Sequence, residues 1–138
     1  MTRTPHRTSL GRVYAAAISW APTSARILLG VVLAWFGYHE LTAPGTWTGY
    51  VPLVSPASHF AELLVLVHGW VLLVLAAALA AGIAPRMAAG ISAILIVEIV
   101  LSLYASGGLS DLVLRDVGVL GLCLSIAGGK GQRLLLRR

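Results

Sequence analysis

The chain alternates long apolar runs with short polar breaks. Four runs approach the ~20 residues that cross ~30 Å of hydrocarbon as a helix. They lie at 25–41, 59–83, 85–105 and 109–128, the first being short. TAPGTWTGYVPLVSPAS (42–58), AGIAPR (81–86) and SGGLSD (106–111) separate them, and their Pro, Gly and Ser content predicts turns. No period-two alternation marks a strand. In lipid the backbone must satisfy its own hydrogen bonds, which predicts helices. The expected fold is therefore all-α, an integral membrane four-helix bundle.

Composition supports lipid as the main solvent. Hydrophobic residues make up 58% of the 138 positions and charged residues 11%. Ordinary soluble domains carry roughly 25% charge. So few polar residues cannot cover a soluble protein of this size. Residues 1–24 form a basic N-terminal segment whose brief apolar part, VYAAAISWAPTSA, is interrupted by Ser19 and Pro22. A membrane-surface segment is expected there, and a signal peptide is the alternative. Residues 25–128 form the four-span domain and 129–138 a basic tail.

Charge placement predicts orientation. Of the ten basic residues, all except Arg115 fall at the end that holds both termini and the 81–86 turn. The positive-inside rule puts that end, with the N- and C-termini, on the cytoplasmic side. A pI near 10.2 would also suit nucleic acid. Basic residues at span ends are explained by anionic lipid instead, so no nucleic-acid partner is expected. All five acids, Glu40, Glu62, Glu98, Asp111 and Asp116, map to the opposite half.

VLRDVGVLG (113–121) then stands out, because it carries Arg115 and Asp116 inside an apolar run. A charge at mid-membrane depth costs at least ~2.5–3.5 kcal/mol, so such residues usually face the bundle interior and are paired. Asp111 and Arg115 are four apart with the acid first, the favourable order for a helical ion pair. Asp116 lies about 100° away and is expected to need another partner. His39, Glu40, Glu62, His68, Glu98, Arg115 and Asp116 together are expected to line one polar pocket, as ligand site or as structural glue. Gly30, Ala34 and Gly37 on span one, Glu62, Gly69 and Ala76 on span two, and Gly118, Gly121 and Ser125 on span four suggest close helix contacts. Trp47 and Tyr50 are expected as interface anchors, with a lid over the pocket as the less favoured role.

Much chemistry is missing. The single cysteine, Cys123, can form neither an internal disulfide nor a dithiol pair. His39 and His68 lie at unequal depths, which suits bis-histidine haem poorly. No metal site, phosphate-cradling loop or GxSxG nucleophile is apparent, and no catalytic set is predicted.

Three segments resemble DoxX-like membrane proteins. ARILLGVVLAWFGYHELTAP matches at Arg26, Gly30, Gly37, Glu40, Leu41 and Pro44. LVHGWVLLVLAAALAAGIAPRMAA resembles that family's second span and turn, and LVLRDVGVLGLCLSIA its last span, with Arg115 and Asp116. His39-Glu40 departs from the Lys-containing form of the motif. The resemblance implies a four-helix membrane protein, an accessory subunit of a redox complex in a bacterial cytoplasmic membrane. It further implies a quinone as the class of ligand; because no redox centre is found among these residues, a protein partner is expected to supply electrons. A non-catalytic scaffold and an oligomeric small-solute transporter remain the alternatives.

Overall fold

The computed structural model describes residues 9–129. The basic residues Arg3 and Arg7, and the tail from Lys130 onward, lie outside the described residues. The described part is all-helical: α1 (Ser9–Thr42), α2 (His59–Ala81), α3 (Pro85–Gly107) and α4 (Asp111–Gly128). Two short 3-10 turns, Pro44–Thr46 and Thr48–Tyr50, lie between α1 and α2. α1 packs mainly along α2 and α3 along α4, while lighter α2–α3 and α1–α4 contacts close the ring.

Each boundary has a local cause. Ser58 and Ser110 cap α2 and α4, their hydroxyls accepting from Ala61 N–H at 3.1 Å and Val113 N–H at 3.4 Å. Glu62 and Asp111 occupy the first turns of the same helices, where the helix dipole favours an acid. α2 ends at Gly82, whose φ of 73° is left-handed. Gly82 N–H donates to Leu79 and Ile83 N–H to Ala78, the paired bonds of a Schellman turn. Pro85 then opens α3, where its missing N–H costs nothing.

α1 differs from expectation. There is no break between residues 24 and 25, and the helix runs unbroken from Ser9 through Pro22. Pro22 cannot donate to the carbonyl of Ile18, but the chain stays helical on both sides. Leu10, Val13, Tyr14, Ile18 and Trp20 are exposed, whereas Thr23, Arg26, Leu29 and Leu33 are buried. The first part of α1 therefore projects beyond the bundle.

Three helical segments are long and apolar enough to cross a membrane: Val13–Thr42, His59–Ala81 and Pro85–Gly107. α4 has 18 residues and contains Asp111, Arg115 and Asp116. At 1.5 Å per residue it is roughly 27 Å long, slightly under the hydrocarbon thickness.

The tightest contact is between α1 and α2. A Cβ on Gly37 would fall 2.7 Å from the Gly69 carbonyl oxygen, and one on Gly30 3.1 Å from that of Ala76. Both positions need glycine so that the two backbones can approach. The expectation for α4 is corrected. Gly118 and Gly121 would meet nothing within 4 Å, and Ser125 is exposed too. The buried face of α4 is Val113, Asp116, Cys123 and Ile126 instead, so those small residues lie on its outer side.

Candidate functional site

α1 aligns Leu33, Phe36 and Glu40 along one side, three to four residues apart. They form one wall of a cavity of about 530 Å³. α2 contributes Leu64, His68 and Leu72, α3 Glu98, Ile99 and Ser102, and α4 Leu112, Arg115 and Asp116. Trp47, Tyr50 and Pro52 of the α1–α2 connection also line it. The walls are largely aliphatic and aromatic, and two polar pairs are set into them.

The first pair joins two helices. His68 Nδ1 lies 2.7 Å from Glu40 Oε2. Glu40 is buried, which is why it needs a partner. Gly69 makes the approach possible, since a Cβ there would stand 3.1 Å from Glu40 Cβ. The second pair lies within α4. Arg115 Nε donates to Asp116 Oδ1 at 2.8 Å, and its Nη2 donates to Oδ2 at 3.2 Å. The same guanidinium rests 5.1 Å from the centroid of the Phe36 ring, a cation–π contact between α4 and α1.

This arrangement corrects the expected Asp111–Arg115 ion pair, which does not form. Asp111 is exposed in the first turn of α4, where water and the helix N-terminus serve it. Asp116 is only 3% exposed and requires a counter-charge. The long, flexible arginine stem lets the guanidinium reach around the helix to its neighbour.

The structure brings Glu40, His68, Glu98, Arg115 and Asp116 to one cavity and leaves His39 and Glu62 outside it. Because Glu40 faces inward, the adjacent His39 turns about 100° away. Its ring packs against Trp35, 4.5 Å between centroids, and Tyr38, 5.5 Å. Glu62 faces a separate cavity of about 200 Å³ under the α1–α2 connection. His59 Nδ1 lies 3.8 Å from the Glu62 carboxylate. Glu98 is exposed at the cavity wall and makes no hydrogen bond or ion pair among the described residues.

Two wall residues, Phe36 and Ser102, escaped the sequence reading. Phe36 sits one turn before Glu40, a spacing that would have placed it on the same face. Ser102 sits one turn after Glu98 and donates its hydroxyl to the Tyr50 carbonyl, tying α3 to the loop. Trp47 packs edge-on against Phe36 at 6.0 Å and lies 6.2 Å from Tyr50. Trp47 and Tyr50, expected as interface anchors or as a lid, form part of the cavity wall.

One nitrogen in each of these polar pairs has no hydrogen-bond partner among the described residues. Asp116 takes Nε and Nη2 of Arg115, leaving Nη1. Glu40 takes Nδ1 of His68, leaving Nε2. Cys123 is a free thiol buried in the core. Among the described residues, no three His, Cys, Asp or Glu side chains converge as a metal ion would require. Comparison with protein-family models, characterised proteins and solved structures finds no match for the chain.

Proposed function

We propose that the chain is a four-span membrane protein whose cavity holds the polar head of a lipid-soluble molecule, and that this molecule is a quinone. One observation carries the proposal. An apolar cavity of about 530 Å³ contains two polar pairs, each of which leaves a nitrogen with no partner among the described residues. Its volume falls within the ~300–1,000 Å³ of small-molecule sites, and mostly apolar walls with few fixed polar groups are their usual form. A quinone ring offers a carbonyl acceptor to Arg115 Nη1, the hydroxyl of its reduced form can donate to His68 Nε2, and its tail remains in lipid. Glu98 can exchange protons with the outside. The cavity groups include three carboxylates and one guanidinium, a balance that disfavours an anionic ligand.

The chain contributes binding and proton handling, and a partner protein supplies electrons. This is the role of an accessory subunit in a redox complex of a bacterial cytoplasmic membrane, as the likeness to DoxX-like proteins suggests. Both termini then lie on the cytoplasmic side, where the basic residues gather. A scaffold role is the second reading. The Glu40–His68 bond between α1 and α2 favours it, because such a bond would hold the helices in register with no ligand present.

The test measures quinone extracted with the purified protein and the affinity for added short-chain ubiquinone. Arg115→Gln should weaken binding roughly tenfold or more, as expected for loss of a hydrogen bond from a charged donor. Equal quinone binding by the folded variant would rule out the assignment and favour the scaffold.

A further inference from the structure

A second polar feature lies at the other end of the molecule. Arg26 is 1% exposed, and its Nε and Nη1 are buried with no hydrogen-bond partner among the described residues. It lies on the inward face of α1 in line with Thr23, Leu29 and Leu33, all buried. The α1–α2 contacts fix its level. Gly37 faces Gly69, and one step closer to Arg26, Gly30 faces Ala76 and Ala80. Continuing this antiparallel register by one turn sets Arg26 beside the C-terminal turn of α2, near Gly82.

An arginine cannot shed its charge in a protein, so burial leaves a positive charge that needs a counter-ion. No side-chain carboxylate of this chain provides one. Glu40 is committed to His68 and Asp116 to Arg115. Glu62 faces His59, and Asp111 and Glu98 are exposed at the opposite end. Along α1 alone, Arg26 and Glu40 are separated by roughly 21 Å of helical rise. The C-terminus of α2 supplies a partial negative charge of about half a unit, which offsets a full guanidinium incompletely. The surroundings add positive charge. Arg86 opens α3 at this end, where its Nε donates to the Ala127 carbonyl of α4 at 3.1 Å. The first turn of α3 has no acid and no side-chain cap.

We propose that Arg26 is the anchor of an oxyanion site at the basic end of the bundle, and that its ligand is a phosphate group. The group is either the phosphodiester of a phospholipid head or free inorganic phosphate. Both offer anionic oxygens that accept short, charge-assisted hydrogen bonds from a guanidinium. The site is independent of the outer cavity and of the quinone reading. Arg26 is 1% exposed, so the ligand reaches it only where the helix ends part.

The experiment uses the full chain in a phosphate-free, non-ionic detergent. Thermal unfolding is followed with sodium phosphate or with short-chain phosphatidylglycerol, each against sodium chloride at matched ionic strength. Bound phosphorus is measured on the same samples. Wild type should gain several degrees with the effective ligand and bind about one phosphate group per Arg26, the stoichiometry of a single guanidinium site. A response to phosphatidylglycerol alone identifies the lipid source, and a response to phosphate identifies the free ion. Arg26→Met should lose the response. Arg26→Lys, which keeps the charge but not the planar fork, should weaken binding about tenfold or more. The Lys variant also serves if the Met variant does not fold. No response and no bound phosphorus in wild type would overturn the proposal, as would an equal response in Arg26→Met.

Discussion

At the scale of single residues, burial decides which acids find partners, and chain spacing does not. Spacing favoured Asp111–Arg115, while the structure pairs Arg115 with Asp116, the more buried acid. The positions of the ionisable residues were legible in the sequence because lipid tolerates so few of them. Their partners were not, because a long side chain reaches residues that helical geometry places on another face. The Glu40–His68 contact crosses between helices, so it depends on a register that no local pattern contains. It gives a direct prediction. His68→Leu leaves the Glu40 carboxylate buried and unsatisfied, and should destabilise the protein by about 2–3 kcal/mol. Glu40→Leu combined with His68→Leu removes both members and should recover most of that loss, since apolar replacement of a buried pair is often neutral. Reversible unfolding in mixed micelles measures both. Wild-type stability in the single variant would mean that the 2.7 Å contact contributes nothing.

At the scale of elements, the four helices and their breaks were legible because apolar length and Gly/Pro punctuation are strong local signals. The start of α1 was not. Pro22 and Ser19 looked like the end of a separate segment, but a proline inside a helix removes only one hydrogen bond and need not end it. Helix faces were only half legible. Small residues on all of these helices looked alike in sequence, yet Gly37 lies against the α2 backbone and Gly121 against nothing within 4 Å. Hydrophobicity does not separate a lipid-facing side from a packed one, because both are apolar. The two glycines should therefore respond differently to the same change. Gly37→Ala forces a methyl group toward the Gly69 carbonyl and should cost about 1–3 kcal/mol, the range for overpacking. Gly121→Ala should leave stability at or slightly above wild type, since alanine is the better helix former. Comparing the unfolding midpoints of the two variants is sufficient, and equal loss in both would contradict the helix faces described above.

For the whole molecule, orientation turns on whether α4 crosses the membrane. Three segments meet the length and hydropathy of a span unaided, and an odd number would place the two termini on opposite sides. α4 is disqualified on its own by Asp111, Arg115 and Asp116. Two of these cancel each other in a two-bond pair, and the third sits in the first turn, where the interface can serve it. Packing against α3 and α1 also buries Val113, Asp116, Cys123 and Ile126 away from lipid. An 18-residue helix so neutralised can span with slight thinning of the bilayer. Fusions of a fluorescent protein and of alkaline phosphatase to each end test this directly. Fluorescence without phosphatase activity is expected at both termini. Asp116→Leu alone strands Arg115 at a cost of up to ~3 kcal/mol and should let part of the population expose its C-terminus to the outside. Arg115→Leu together with Asp116→Leu leaves Asp111 as the one charge on α4 and should restore a uniformly cytoplasmic C-terminus. Phosphatase activity at the wild-type C-terminus would show that α4 stays out of the bilayer, and the four-span reading would then fail.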